Sequence, residues 1–299
     1  MEESRTISQS TTRATWRDYL VLCKPNVVLL MLLTVLVGAL MASPTLPDLT
    51  VLAIAMVGIG ASAASGAAVN HIIDHRLDLT MARTHNRPIA KGRVSPVSGL
   101  IFALVLAIFG LGLLWFFINP LTAWLTLFSL IGYAIIYTLF LKRATPQNIT
   151  IGGLAGATPP LLGWTAVTGE VSSDALLLVL IIFAWTPPHF WALAIHKKDE
   201  YAKADIPMLP VTHGEQFTRI HIVLYSLLMF AATLLPFTSG MSSWLYLIGV
   251  LALNIRQFVM VKHLFNSERK DAPMNLFKYS IQYLMILFVL LLVDHYIFT

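Results

Sequence analysis

Charge is what this chain has least of. Only 12% of its 299 residues are Asp, Glu, Lys or Arg, 20 of them basic and 15 acidic, while 57% are hydrophobic. Soluble domains carry about 25% charged residues, so there is too little polar surface here to wrap a water-soluble core. The same composition excludes intrinsic disorder. A single cysteine, Cys23, excludes an internal disulfide and with it the stapled secreted scaffolds. Nothing near Cys23 in sequence marks it as a metal ligand or nucleophile, and it reads as a small buried residue. The formal charge of +5 does not indicate nucleic acid, because the basic residues are not gathered on a solvated domain. The first 20 residues are polar and contain Arg5, Arg13 and Arg17, with no short apolar core behind them, unlike a cleaved signal peptide.

In place of charge the chain has long apolar runs, at a mean hydropathy of +0.75. At about 20 residues per crossing, nine spans are expected: 25–43, 49–69, 97–118, 121–141, 150–168, 175–196, 219–238, 243–265 and 276–298. The fold class is therefore all-α, a polytopic membrane bundle of nine helices around a central cavity open toward the cytoplasmic side. A cytoplasmic segment, 1–24, precedes a single transmembrane domain, 25–298. With these spans all 20 Lys and Arg fall on one side, and the other side carries only Asp48, Glu170, Asp174 and Asp294. The positive-inside rule then puts the N-terminus in the cytoplasm and the C-terminus outside, in the periplasm if the membrane is a bacterial inner one. Two inner connections, 70–96 and 197–218, are long and charged, as functional loops are. They follow spans two and six, a topological hint of a four-helix tandem repeat with a site between its halves. The prolines of 159–160 and 187–188 interrupt spans five and six, either as simple kinks or to free backbone groups toward a cavity.

At the end of span two the chain reads N-H-I-I-D-H-R-L-D, so Asn70, Asp74 and Asp78 stand at i, i+4 and i+8 on one helix face. Like charges at that spacing repel, and something positive is expected between them. One candidate is a hard divalent cation such as Mg²⁺, which takes one or two carboxylates, waters and phosphate oxygens. The other is simple pairing of a solvated helix end with Arg76 or Arg83. His71 and His75 share the spacing of a zinc pair, but Ile72 stands where the metalloprotease pattern places Glu. Arg83, Arg87, Lys91 and Arg93 follow closely, and Lys24, Lys142 and Arg143 lie on the same membrane face. Acids for a metal beside several cations is the composition a diphosphate requires. A second acidic cluster, Asp199, Glu200 and Asp205, lies in the sixth connection. His189 is an ionisable residue inside a span and so a site candidate. Trp164, Trp185, Phe190, Trp191 and Tyr137 are candidates to line an apolar pocket or, equally, to pack.

Five segments together carry a resemblance: N-x-x-x-D-x-x-x-D, M-A-R-T-H-N-R-P, Y-T-L-F-L-K-R-A-T-P-Q-N-I-T-I-G-G, T-P-P-H-F-W-A-L-A and D-E-Y-A-K-A-D-I-P-M-L-P. From about Asp18 onward the chain resembles the intramembrane UbiA-type aromatic prenyltransferase superfamily, and within it the haem-farnesylating branch. The resemblance implies that Asn70, Asp74 and Asp78 hold Mg²⁺ on farnesyl diphosphate and that Arg83, Arg87, Lys142 and Arg143 contact the diphosphate. Beside these, Lys24 on the same membrane face is a candidate diphosphate contact, Asp199 of the second acidic cluster a candidate ligand of a second metal ion, and His189, Trp164, Trp191 and Tyr137 candidates for the haem or prenyl pocket. The reaction the resemblance implies is transfer of farnesyl to the 2-vinyl group of protohaem IX (haem B) with addition of water, giving haem O and pyrophosphate. A haem A synthase or a terminal oxidase is the implied downstream partner. One departure stands out: superfamily members often show a second D-x-x-x-D, whereas Lys203 stands four residues after Asp199 here. A quinone-pathway prenyltransferase acting on a phenolic acid and a repeat-built secondary transporter are the competing readings.

Overall fold

The computed structural model describes residues 14–79, 84–266 and 268–298. Every regular element among them is helical. The first are α1 (Trp16–Leu22), α2 (Pro25–Met41), α3 (Leu49–Ile73), α4 (His75–Asp78), α5 (Pro96–Phe117) and α6 (Pro120–Ile131). A π-helical stretch, Gly132–Leu141, continues α6 into α7 (Lys142–Ala144). Then come α8 (Asn148–Ala157), α9 (Pro159–Thr168), α10 (Ser173–His196), α11 (Lys198–Lys203), α12 (Leu209–Thr212), α13 (Gly214–Thr238), α14 (Trp244–His263) and α15 (Ala272–Phe298).

The helix starts follow from local chemistry. Ser95 and Asn119 accept from Ser98 N (3.0 Å) and Thr122 N (2.8 Å), and each precedes a proline whose missing N–H costs nothing at the first helical position. Asp48 caps α3 through Thr50 N at 2.6 Å. Asp294, 1% exposed near the end of α15, caps a different helix: it accepts from Ser243 N (2.6 Å), Ser243 Oγ and Tyr246 N (2.9 Å) at the start of α14.

Among the described residues seven helices are long and apolar enough to cross a membrane, or eight if α1 and α2, bent by 51°, count as one broken span. The span expected at 150–168 is not among them. It is two ten-residue helices, α8 and α9, meeting at Pro159. Every residue from Pro159 to Ala166 is buried by neighbouring helices rather than facing lipid, so small and polar side chains suffice there. The close crossings depend on glycine. A Cβ on Gly163 would lie 1.9 Å from Val35 O, one on Gly38 1.9 Å from Pro160 O, and one on Gly110 2.5 Å from Gly58 O. These contacts seat α9 on α2 and α5 on α3, where Ser65 Oγ also donates to Ala103 O at 2.7 Å. The largest apolar core lies among α2, α9, α10, α13, α14 and α15, and Trp164 belongs to it.

Candidate active site

The acid motif occupies the point where α3 gives way to α4. Asp74 is the break itself, and its N–H still bonds Asn70 O at 3.0 Å while Asp78 N reaches Asp74 O at 2.8 Å, so the i, i+4, i+8 register survives the interruption. Asn70, Asp74 and Asp78 are 5%, 1% and 3% exposed. Buried carboxylates need partners, and each has one. Lys142 Nζ lies 2.6 Å from Asp74 Oδ2, and Arg87 Nη1 lies 2.8 Å from both oxygens of Asp78. Asn70 donates to Asp74 Oδ2 (2.8 Å), stands 3.4 Å from Thr138 Oγ1, and accepts from Lys24 Nζ at 2.5 Å. Asp74 Oδ1 is buried with no partner.

Four separate segments supply this cluster. Lys24 lies in the break between α1 and α2, with a left-handed backbone (φ 48°) that a non-glycine residue adopts only under constraint. Thr138 comes from the π-helical stretch, a feature that recurs at functional sites. Tyr133 and Tyr137 on that stretch stack at 5.9 Å, and Tyr137 rests on Gly152, where a Cβ would come within 2.2 Å of its ring. Arg87 follows the short turn at Thr84, whose hydroxyl donates to Asp78 O at 3.2 Å.

Other expected residues lie elsewhere. Arg83 falls outside the described residues. Arg76 is exposed, and the acid left open to it in sequence is taken by Arg87. Arg143 is exposed and has no ion pair among the described residues. Asp199 and Asp205 are exposed, and Glu200 pairs with Lys197 at 2.5 Å. The sixth connection nevertheless reaches the motif through apolar packing: Tyr201, Ala204, Ile206 and Met208 cluster with Ile149, and Leu77, between the two acids, packs against them. Among the described residues no three His, Cys, Asp or Glu side chains converge as a metal site. His75 Nδ1 lies 2.7 Å from Ile72 O.

His189 is 8% exposed and sandwiched between Trp185 (4.2 Å) and Phe277 (4.5 Å), with Phe190 edge-on. Its Nδ1 lies 2.7 Å from Ser280 Oγ, and Ser280 spends its own proton on Phe277 O at 2.7 Å. The network therefore assigns the Nδ1–H tautomer and leaves the Nε2 lone pair outward. Trp191 is fully buried, edge-on to Tyr225 and His221. A cleft of about 520 Å³ around Met260, His263, Arg269 and Asn275 contains none of the expected residues.

Fold and site define a multi-pass helical membrane protein whose buried acids and cations gather at the ends of several helices. Which one follows from comparison with known proteins: the profile of the UbiA prenyltransferase family matches residues 31–290, and the chain belongs to that family. It is 59% identical over 290 residues to a protoheme IX farnesyltransferase of Hahella chejuensis, covering 97% of each chain. It is 62% identical over 291 residues to protoheme IX farnesyltransferase 1 of Pseudomonas fluorescens, again covering 97% of each. Among solved structures it resembles a digeranylgeranylglyceryl phosphate synthase, with a TM-score of 0.80 at 18% identity over 94% of this chain and 98% of that one. A UbiA homologue from Archaeoglobus fulgidus bound to GPP and Mg²⁺ superposes with a TM-score of 0.64 at 14% identity, over 92% and 99% of the two chains.

Proposed function

We propose that this chain is a haem-farnesylating enzyme of the membrane, transferring the farnesyl group of farnesyl diphosphate to the 2-vinyl group of protohaem IX with addition of water, to give haem O and pyrophosphate. The observation that carries the reading is the pair of buried acids, Asp74 and Asp78, each held by a cation, in a chain about 60% identical to protoheme IX farnesyltransferases over nearly its whole length.

The donor set fits Mg²⁺. Asp74 Oδ1 is a buried carboxylate oxygen without a partner, and Asp78 and the Asn70 amide add further hard oxygens. Two carboxylates with waters and phosphate oxygens are a usual Mg²⁺ environment. When bound there, the ion supplies positive charge against the departing pyrophosphate. Asp74, Asp78 and Asn70 would hold the ion, and Lys142, Arg87 and Lys24 would be left to pair with phosphate oxygens. Asp199 is exposed and lies outside this cluster.

Ionisation breaks the farnesyl C1–O bond, and Lys142 and Arg87 stabilise the charge that develops on the leaving oxygens. The stacked faces of Tyr133 and Tyr137 shelter the allylic cation from water. The vinyl carbon forms the new C–C bond, and water captures the cation left beside the haem ring, giving up one proton. His189, with Nε2 outward between two aromatic faces, meets the planar macrocycle in an apolar slot. Haem O then passes to a haem A synthase or a terminal oxidase.

Nine crossings, with a central cavity opening to the cytoplasm, complete the reading. At 1.5 Å per residue, the two ten-residue helices α8 and α9 reach about 30 Å, the thickness of a bilayer core. Lys24, Arg87 and Lys142 then lie at the cytoplasmic face.

The test is turnover by purified protein given farnesyl diphosphate with haem B or with 4-hydroxybenzoate. Haem O forms from the first pair only, stops with a divalent chelator and resumes with Mg²⁺. Prenylation of the phenolic acid instead, or indifference to the chelator, contradicts the reading.

A further inference from the structure

His71 stands apart from the other polar residues of the motif because nothing holds it. Its ring is 2% exposed, and neither Nδ1 nor Nε2 has a hydrogen-bond partner among the described residues. Leaving a buried polar atom unsatisfied costs about 1–3 kcal/mol, and native structures keep few of them without a cause.

The surroundings narrow the cause. Asp78 gives both oxygens to Arg87, and Asp74 gives Oδ2 to Lys142 and Asn70, leaving Oδ1 without a partner among the described residues. His75, one turn on, is satisfied by its own backbone at Ile72 O, 2.7 Å away. The motif residues that flank His71 along the chain hold cations of the site, Lys24 on Asn70 and Arg87 on Asp78. An imidazole offers at least one N–H donor, and a partner that suits both that donor and these cations is an oxygen-rich anion. The free Asp74 Oδ1, on the same helix face three residues on, suits the metal that accompanies such an anion.

We infer that His71 is a diphosphate-binding residue, whose imidazole donates an N–H to an oxygen of the prenyl diphosphate that Lys24 and Arg87 also hold. The inference rests on the proposed function and deepens it. It adds a directional donor to the cations of the site, and gives His71 a role apart from the acids that would hold the metal.

The experiment uses the full-length protein in detergent with Mg²⁺, titrated calorimetrically with inorganic pyrophosphate and with farnesyl thiodiphosphate, which ionises too slowly to turn over. His71→Leu weakens binding of both about tenfold, the worth of roughly one hydrogen bond to a charged group. KM for farnesyl diphosphate rises to match while KM for haem holds, and the melting temperature without ligand does not fall, because an unsatisfied polar group has been removed. His71→Asn, which keeps a donor, recovers most of the affinity. Leu and wild-type proteins binding pyrophosphate equally would overturn the inference while leaving the site reading intact. So would equal loss in the Leu and Asn variants accompanied by a lower melting temperature. Failure of the wild-type protein to bind pyrophosphate at all removes the site reading itself, and this inference with it.

Discussion

Asp74 divides its two oxygens unequally: Oδ2 accepts from Lys142 and Asn70, and Oδ1 is buried and free. That asymmetry makes Asp74 the residue whose loss is most informative. Asp74→Ala and Asp78→Ala are each expected to lower haem O formation about 10²–10³-fold, the usual effect of removing one element of transition-state charge stabilisation. Both variants still reach the membrane, which a blot of the membrane fraction checks; near-normal turnover in both contradicts the assignment. At this scale the sequence was most legible where chemistry follows helical spacing, as with Asn70, Asp74 and Asp78. The partners were less so. Lys142 stands 68 residues from Asp74, and no periodicity connects them; the charge distribution put both on one membrane face, and the resemblance pointed to the residue. Thr138, equally distant from Asn70, carried no signal at all. Trp164 and Trp191, left open in sequence between lining a pocket and packing, both belong to apolar cores.

Among the elements, the glycine crossings position the site, because α9 on α2 and α5 on α3 fix where the ends of α2 and α3 bring Lys24 and Asn70 together. Gly163→Ala is expected to lower the melting temperature of the purified protein, since the added methyl meets backbone at Val35 O, which cannot step aside. Overpacking of this kind costs about 1–3 kcal/mol. Gly112→Ala, where nothing lies within 4 Å of the added Cβ, serves as the control and leaves the melting temperature unchanged or slightly higher. Equal effects of the two would contradict the crossing argument. Most helices could be read from their apolar runs and from caps such as Ser95-Pro96 and Asn119-Pro120. The π-helical stretch could not, because Gly132–Leu141 has the same apolar composition as an α-helix and its register shift appears only in hydrogen bonding. Nor could the division at Pro159, where proline is compatible with a kink as well as with a new helix start.

The whole molecule turns its scarcity of charge into an address. Every Lys and Arg falls on one side of the expected spans, and Lys24, Arg87 and Lys142 come together with Asn70, Asp74 and Asp78 in one cluster. Topology follows from this and is open to labelling. With Cys23 replaced, single cysteines at Thr45, Glu170 or Ser242 should react with an impermeant maleimide added outside intact cells, and one at Gln147 or Glu268 only after permeabilisation. A reversed pattern contradicts the orientation. Sequence composition alone pointed to a membrane protein, and the placement of Lys and Arg set its expected sidedness; the motifs and relatives were needed to say what is made there. The most direct test of that claim is the mass of haem extracted from cells expressing this chain in a host that makes no haem O. The expected result is haem B heavier by one farnesyl group and one hydroxyl, absent when Asp74→Ala is expressed at the same level; haem B alone from cells carrying the unaltered, membrane-inserted chain would contradict it.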